Sequence, residues 1–353
     1  MGARILGMGQ WLPERIREND EWPPEFAAKA ASSKRRELVD VDFDLSNPAD
    51  AIALKYFSEE VDDPFLGTTR RRVAPEDMTA PEAEARAARQ ALESASVDPA
   101  DLDVIISWAA VPDRIVPASA VKVAHLLGAT RALAYGMDAA CATPIAQLEV
   151  ATALIESGRA KRVLLTQSHL ITRAFPMMHP ASPNVGDAAT AFVVCADTET
   201  SLVASHARTH GEYYEAVTWC RGTTSDPPWW QSGPDYYLGS RNGEAARHLV
   251  RSTVRIGAET VRELLAIAQT ELDKVQVLSS IQPRRWVPKA ISEALGGNMF
   301  VPQTFDELAH LGGCGLLTNL IHAKQEGILK SGTLVVLYAQ GAGFTRSSAL
   351  VRF

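Results

Sequence analysis

The sequence predicts an α/β protein built as two similar halves, and two observations support this fold class. Short, nearly continuous apolar runs alternate with helical segments, and the alternation occurs twice along the chain. Continuous apolar runs are typical of strands buried on both faces, which helices cover in α/β proteins. The length of 353 residues also favours two halves over one continuous core. We expect the halves to span residues 1–198 and 199–353.

The first half opens with a predicted strand over residues 4–8 that enters a Gly/Pro loop. Residues 20–65 are polar and Pro-rich and are predicted to form an irregular insertion with short helices at 25–37 and 49–57. The next segment, TAPEAEARAARQALESA, begins with Thr79 and carries Glu82 three residues later, which is the pattern of a capping box. The remaining elements of this half are predicted as strand LDVIISWAA, helix PASAVKVAHLLGA, strand ALAYGMD, helix ATPIAQLEVATALIESG, and strands RVLLTQS and ATAFVVCAD.

The second half repeats the theme of helices and buried strands. Its predicted order is a long helix RNGEAARHLVRSTVRIGAETVRELLAIA, strand KVQVLSSI, helix VPKAISEALG, helix GCGLLTNLIHAKQEG and the closing hairpin GTLVVLYAQGAGFTRSSALVRF. No short-period repeat and no low-complexity segment interrupts either half. The pattern therefore predicts one layered α/β unit in each half.

Composition and charge exclude several classes of function. The net charge of −7 argues against nucleic acid or an anionic membrane surface as the main partner. No stretch approaches the roughly 18 apolar residues that span a bilayer, and the N-terminus lacks the pattern of a signal peptide, so we expect a cytoplasmic protein without a membrane span. The four cysteines are scattered without CxxC spacing, so we predict neither disulfides nor a metal site.

One cysteine occupies a position that suits a nucleophile. Cys141 follows the strand ALAYGMD and directly precedes a long helix. Unpaired backbone N–H groups at a helix N-terminus favour thiolate over thiol and can also hold a developing oxyanion. A strand–nucleophile–helix corner recurs in acyl-transfer enzymes. On this residue alone, a buried structural cysteine is the commoner alternative.

The segment YGMDAACATPIAQLEVATALIESG resembles the active-site segment of β-ketoacyl-acyl-carrier-protein synthase III, a family of the thiolase superfamily. The stretches PDRIVPASAVKVAHLLGA, NVGDAATAFVV and the closing hairpin resemble the same family in the same order, and the likeness covers roughly residues 79–353. It implies the thiolase fold, with duplicated βαβαβ halves in a five-layer α-β-α-β-α arrangement. It also implies a homodimer joined through the sheet edge near the active-site helix.

The sequence departs from this family at two catalytic positions. The family's usual histidine lies where this chain reads SSIQPRRWVPKA, so that Gln282 or Arg284 takes its place and forms part of a polar pocket. The family's asparagine position falls on His310, which resembles a side branch of acyl-transferring enzymes. That branch carries an Asp five residues later, whereas this chain has Gly315. The resemblance therefore implies a Cys141–His310 pair without the third member of a triad.

The chemistry implied by this pair is acyl transfer through a covalent intermediate. His310 takes the thiol proton, Cys141 attacks a thioester carbonyl, and the backbone N–H groups of Cys141 and Ala342 hold the oxyanion. His310 then deprotonates an incoming hydroxyl or amine. The donor is an acyl-CoA or an acylated phosphopantetheinyl carrier protein, the acceptor is a small molecule or carrier thiol, and no permanently bound cofactor is expected.

Other polar and aromatic residues are weaker candidates. The family's usual clamp for coenzyme A is not found, and Arg70, Arg71 and Arg72 are candidates for contacting the donor's phosphate, although surface charge is the alternative. Trp229 and Trp230 are candidates for an acceptor pocket or an interface. His179 and His210 are each expected to be structural or on the surface, and the alternative is that their segments approach the pocket.

Three functions therefore remain open from the sequence. The favoured one is an acyltransferase of secondary, polyketide or fatty-acid-like metabolism. The first alternative is a synthase III-type condensing enzyme that forms a carbon–carbon bond, against which the missing histidine weighs. The second is an inactive partner subunit of an active homologue, against which the intact corner cysteine and His310 weigh.

Overall fold

The computed structural model describes residues 1–30, 42–60, 62–221, 231–232 and 236–353. The helices that lie wholly within these residues are α1 (Pro48–Glu60), α2 (Ala80–Ala95), α3 (Ser119–Leu127), α4 (Thr143–Glu156), α5 (Gly243–Ile267), α6 (Val287–Leu295), α7 (Phe305–Leu308) and α8 (Cys314–Gln325). The strands are β1 (Gly2–Trp11), β2 (Ile16–Glu18), β3 (Arg70–Arg72), β4 (Val104–Ala109), β5 (Leu133–Gly136), β6 (Arg162–His169), β7 (Ala188–Asp197), β8 (Leu202–Thr209), β9 (Thr218–Arg221), β10 (Tyr236–Gly239), β11 (Val277–Ser280), β12 (Leu334–Gly341) and β13 (Thr345–Arg352).

Two main sheets repeat one strand pattern. The first has the order β1-β7-β6-β4-β5, in which β4 is parallel to β5 and β6, and β7 is antiparallel to β6 and β1. The second has the order β11-β12-β13-β8, in which β11 is parallel to β12 and the other pairs are antiparallel. In both sheets a parallel pair thus continues into two antiparallel strands, and this shared pattern is the expected duplication of the halves.

The helices and sheets form five layers, as the family resemblance implies. Helices α4 and α8 lie between the two sheets, where Leu148 and Leu317 share one buried cluster with residues of both sheets. Helices α2 and α3 cover the outer face of the first sheet. Helices α1, α5 and α6 cover the outer face of the second. The order α-β-α-β-α buries both faces of each sheet, which explains the long apolar runs in the sequence.

Several local predictions are confirmed in detail. Thr79 caps α2 and forms the expected capping box with Glu82. Gly128 ends α3 in the left-handed conformation, with φ of 76°. The closing segment forms the antiparallel pair β12–β13. None of the helices in the described residues is both long enough and apolar enough to cross a bilayer.

Several strands have no counterpart among the predicted elements, namely β8 and the short two-stranded pairs β2–β3 and β9–β10. Strand β8 was not predicted, because it lies at the edge of the second sheet and its residues are half-exposed rather than continuously apolar. Within the irregular insertion, the short helix predicted at 49–57 is confirmed as α1, whose Ala53 and Phe57 pack into the cluster outside the second sheet. The division at residues 198 and 199 stays a prediction.

A carboxyl group is buried in the outer face of the first sheet. Glu84 of α2 is fully buried and accepts hydrogen bonds from Thr166 Oγ1 at 2.6 Å and Ser168 Oγ at 2.9 Å, both on β6. Burial raises the pKa of Glu84 to about 8, although hydrogen bonds from these hydroxyls oppose the shift. The folded protein therefore holds a proton on Glu84 at neutral pH.

We expect the substitution Glu84→Gln to reveal this proton in the pH dependence of stability. Between the ordinary carboxyl pKa of 4.5 and about 8, the unfolded chain has lost the proton and the folded chain retains it. Wild-type stability should therefore fall by about 1.4 kcal/mol per pH unit across this window through Glu84 alone. Urea unfolding at about pH 5.5 and about pH 7.5 should show that the free energy of unfolding of the variant increases relative to that of wild type as pH rises.

The matched control is Glu93→Gln, which changes an exposed carboxylate on the same helix. It should leave the pH dependence of unfolding close to that of wild type. An identical pH slope for wild type and Glu84→Gln would contradict the buried, protonated state.

Candidate active site

Cys141 lies at a tight corner between a strand and a helix. Strand β5 ends at Gly136, a single 3-10 turn covers Ala140–Ala142, and α4 begins at Thr143. Ala140 has a φ of 50°, which is unusual for a residue with a Cβ. Asp138 Oδ1 stabilises this turn because it accepts hydrogen bonds from Ala140 N at 2.7 Å and Trp108 Nε1 at 2.9 Å.

His310 reaches the corner from the second half of the chain. Its backbone pairs with a neighbouring segment, since His310 N donates to Asn184 O at 2.9 Å and Gly186 N donates to His310 O at 3.1 Å. The side chain then lies with Nε2 at 4.0 Å from Cys141 Sγ. The two residues singled out by the sequence therefore meet, with an imidazole nitrogen in contact with the thiol.

The resting protonation state differs from the sequence expectation. The sequence analysis expected the helix N-terminus to favour a thiolate. Instead, burial and the nearby Asp138 raise the pKa of Cys141 to about 12, even though the N–H groups of Cys141 and Gly313 act in the opposite direction. Burial lowers the pKa of His310 to about 4. At neutral pH the pair is therefore a thiol beside a neutral imidazole, because the loss of solvation outweighs the helix N–H groups.

The third member of a triad is absent five residues after His310, at the position where the related side branch carries an Asp. Gly315 lies in the first turn of α8 and offers no side chain. Within the described part of the chain, His310 Nδ1 is buried and makes no hydrogen bond. The backbone of Gln282 lies near the ring and opposes the lowering of the His310 pKa, but among the described residues no carboxylate pairs with His310.

A second histidine borders this pair, and the sequence analysis missed it. His169 ends β6, is 5% exposed, and packs edge-on to His310 with ring centroids 5.6 Å apart. Its position at the carboxyl end of a buried parallel strand was a usable signal, since functional side chains gather at that edge of α/β sheets. The histidines that were considered lie elsewhere: His179 packs on Phe175, and His210 packs on Phe344.

A cavity of about 370 Å³ opens at Cys141. Its described walls are mostly apolar and aromatic, with a few polar groups: Trp108, Ala109, Ala110, Asp138, Ala139, Ala140, Cys141, His169, Ile171, Tyr214, Val217, Thr218, Trp219, Leu238, Ala342, Gly343 and Thr345. Cys141 and Ala342, the two expected donors of an oxyanion hole, thus line the same space. Gly341 allows this approach, because a Cβ at Gly341 would collide with the backbone oxygen of Ala139.

The polar pocket expected from Gln282 and Arg284 does not form at this cavity. The amide of Gln282 is engaged on both sides, since Nε2 donates to Pro302 O at 2.9 Å and Oε1 accepts from Thr304 Oγ1 at 2.9 Å. Arg284 Nη1 lies 3.4 Å from Glu60 Oε2. Both side chains are committed to other partners and neither is among the described residues that line this cavity, which corrects the expectation.

The three arginines proposed for the donor phosphate lie in different environments. Arg71 is fully buried, stacks on Trp22 with its guanidinium 4.5 Å from the ring centroid, and has its pKa lowered to about 10 by burial. The expectation of a phosphate contact is wrong for Arg71, since no surface ligand reaches it. Arg72 donates to Pro13 O, and Arg70 is exposed and paired with Glu307 at 3.0 Å. Trp229 and Trp230 lie outside the described residues.

Comparison with known proteins identifies similar sequences and folds. The family model described as 3-oxoacyl-[acyl-carrier-protein (ACP)] synthase III matches residues 135–211, and the model for the C-terminal part of that family matches residues 265–353. The β-ketoacyl-[acyl-carrier-protein] synthase III of Pectobacterium atrosepticum is 28% identical over 100% of both chains. That of Sphingopyxis alaskensis is 29% identical over 81% of this chain and 88% of the relative.

Solved structures agree with these sequence matches. The 3-oxoacyl-[acyl-carrier-protein] synthase III of Aquifex aeolicus superposes with a TM-score of 0.78 at 25% identity over 100% of both chains. The priming β-ketosynthase of the R1128 polyketide pathway superposes with a TM-score of 0.79 at 21% identity, over 100% of this chain and 96% of that one. The second likeness shows the fold alone.

Proposed function

Since this chain is a 3-oxoacyl-(acyl-carrier-protein) synthase III-like member of the thiolase superfamily, we propose that it is an acyltransferase that works through an acyl-Cys141 intermediate. Its relatives are transferases that condense or transfer acyl groups, and this chain is an enzyme of that kind. The observation that carries the proposal is the 4.0 Å contact between Cys141 Sγ and His310 Nε2, in the turn between β5 and α4.

The first half-reaction loads the acyl group onto the cysteine. His310 Nε2 takes the Cys141 proton as the sulfur attacks the thioester carbonyl carbon, because the neutral resting pair holds no standing thiolate. The carbonyl oxygen becomes an oxyanion, for which the N–H groups of Cys141 and Ala342 are the proposed donors. The carbon–sulfur bond to the donor then breaks, and the departing thiolate takes from His310 the proton that came from Cys141.

The second half-reaction passes the acyl group to a hydroxyl, an amine or a carrier thiol. The acceptor loses its proton to His310 as it attacks the acyl carbon. Cys141 then leaves as a thiolate and takes this proton from His310. Water is the competing nucleophile, and the apolar walls contributed by Trp108, Ile171 and Leu238 reduce its access to the acyl-enzyme.

Transfer is favoured over condensation by the residues around the pair. Decarboxylative condensation in this family relies on a histidine in the segment that here reads IQPRR, and this chain has none there. The Gln282 amide that stands in that segment is bound to Pro302 and Thr304. The second candidate is nevertheless a condensing enzyme, because the relatives are named as β-ketoacyl synthases.

The donor is proposed to be an acyl-CoA or an acyl carrier protein, in keeping with the carrier protein in the names of the relatives. The proposal requires no permanently bound cofactor, since thiol and imidazole supply the nucleophile and the base. Fatty-acid-like and polyketide biosynthesis are the kinds of metabolism in which such donors occur.

A homodimer is proposed through the edge of the first sheet. Strand β5 ends the strand order of that sheet, and apolar side chains are exposed on it and on the loop before α3, namely Leu133 at 65%, Ile115 at 65% and Val116 at 81%. Such exposed apolar side chains at an open edge favour burial against another chain. Light scattering should give twice the chain mass of 38.2 kDa, and a monomer at micromolar concentration would contradict this.

Intact-protein mass spectrometry tests the proposed function directly. Wild type and Cys141→Ala are incubated with acetyl, malonyl and longer acyl thioesters of coenzyme A and of a carrier protein. We expect an acyl adduct on wild type and none on Cys141→Ala. A malonyl adduct that keeps its carboxylate favours transfer, whereas release of carbon dioxide with a new carbon–carbon bond favours condensation. No adduct with any donor would favour the inactive-partner alternative.

A further inference from the structure

The cavity at Cys141 contains a histidine nitrogen that the chemistry described above does not use. His169 Nδ1 lies 2.9 Å from the carbonyl oxygen of Gly186. A carbonyl oxygen only accepts, so Nδ1 must carry the hydrogen, and Nε2 carries a lone pair in the neutral ring. His169 is among the residues that line the cavity. Nε2 is therefore the ring atom left to accept a hydrogen bond from a ligand.

The surroundings keep His169 in one orientation and in the neutral form. The ring packs against Gly312, where a Cβ would collide with the Cδ2 and Nε2 edge. Burial, and the neighbouring His310, lower the pKa of His169 to about 3. The ring is thus an acceptor at neutral pH, and its tautomer is set by Gly186.

The cavity wall holds one further acceptor side chain, together with the hydroxyls of Tyr214, Thr218 and Thr345, which can donate or accept. Asp138 lines the cavity near Cys141 and, as a carboxylate, only accepts hydrogen bonds. The remaining described wall residues are mostly apolar or aromatic, including Ile171, Trp219 and Leu238. Among the described wall residues His169 is present and His310 is not. A substrate group in this space meets His169, whereas His310 contacts the sulfur.

We propose that the cavity receives a part of the substrate that carries a hydroxyl or amino hydrogen-bond donor, and that His169 Nε2 binds this group. His169 is then a specificity-determining residue of the reaction. The inference rests on the proposed function, because it assigns the substrate chemistry of the same acyl-transfer site. A donor group in the substrate satisfies a buried acceptor, and a substrate without it leaves Nε2 unpaired, which is unfavourable.

The donor group has two sources, the acyl chain or the acceptor, and the experiment separates them. In the first arm, butyryl-CoA and 3-hydroxybutyryl-CoA compete for Cys141. Intact mass then gives the ratio of 3-hydroxybutyryl-enzyme to butyryl-enzyme. In the second arm, butyryl-Cys141 is mixed with ethanolamine, and the ratio of butyryl transfer to hydrolysis is measured. Each arm uses wild type and His169→Asn, since an asparagine amide can still donate to Gly186 O but does not reach the position of Nε2.

We expect one of these ratios to fall about tenfold in His169→Asn, which is the size of effect that losing one buried hydrogen bond produces. A fall in the first arm assigns the hydroxyl to the acyl chain, and a fall in the second assigns the donor group to the acceptor. His125→Asn, an exposed histidine on α3, is the matched control and should leave both ratios at the wild-type values. Melting temperatures of the variants establish that they are folded.

If both ratios in His169→Asn equal those of wild type, the inference is overturned, while acylation of Cys141 still supports the proposed function. A wild-type protein that takes no acyl group from any donor would instead overturn the proposed function, and the cavity inference with it. The two failures are therefore distinguishable in one set of mass spectra.

Discussion

Replacing His310 with glutamine is expected to slow acylation of Cys141 by about 10²- to 10⁴-fold, the usual contribution of a general base. The reason is the resting state of the pair. Because the pKa of Cys141 is raised to about 12, the thiolate is rare at neutral pH without a base to take the proton. His310, with a pKa lowered to about 4, is neutral and available throughout the physiological range.

The same pKa directions predict different pH profiles for wild type and variant. In wild type the base is already deprotonated above about pH 4, so the acylation rate should change little between about pH 6 and about pH 8. In His310→Gln the reaction depends on free thiolate, whose fraction rises tenfold per pH unit below a pKa of about 12. The measurement is the single-turnover rate of acyl-enzyme formation by quenched mass spectrometry.

Two observations decide whether this interpretation holds. Exogenous imidazole should restore acylation in His310→Ala, because the cavity left by the side chain can admit a small base. A His310→Gln rate within threefold of wild type at neutral pH, with the same flat profile, would show that His310 is not the base. His125→Gln serves as the control for a histidine on the surface of α3.

Introducing a methyl group at Gly341 is expected to lower acylation at least about tenfold and to destabilise the fold by about 1–3 kcal/mol, as overpacking does. A Cβ at this position would collide with the backbone oxygen of Ala139, which is two residues before Cys141. Neither partner is a flexible side chain, so either β12 or the Cys141 turn must move. Ala342, the proposed second oxyanion donor, follows directly and would move with β12.

Gly211→Ala is the matched control, since a Cβ there meets nothing within 4 Å. Acyl-enzyme formation and urea unfolding are measured on both variants. If Gly341→Ala acylates as fast as Gly211→Ala, the close approach of β12 to the Cys141 turn is not needed for the reaction.

The alternation of strands and helices follows from local features of the sequence, whereas the five-layer arrangement was expected only from the family resemblance. The apolar run that forms β4 and the capping residues Thr79 and Glu82 of α2 depend on neighbours within a few residues, and each appears in the structure where it was predicted. Strand β8 was missed because an edge strand lacks the continuous apolar signal. Cys141 and His310 were chosen by register against a family, and they lie 4.0 Å apart.

Periodicity and capping were enough to predict an α/β architecture of two similar halves, and motif order within a known family was enough to select Cys141 and His310, because these signals depend only on the order of residues along the chain. Tertiary structure alone decided that the thiol rests protonated, that Arg71 is buried against Trp22, and that His169 joins the site. Burial and hydrogen-bond partners depend on segments far apart in sequence. The Gly186 carbonyl that sets the His169 tautomer, and the Gly312 that packs against its ring, belong to different halves of the chain.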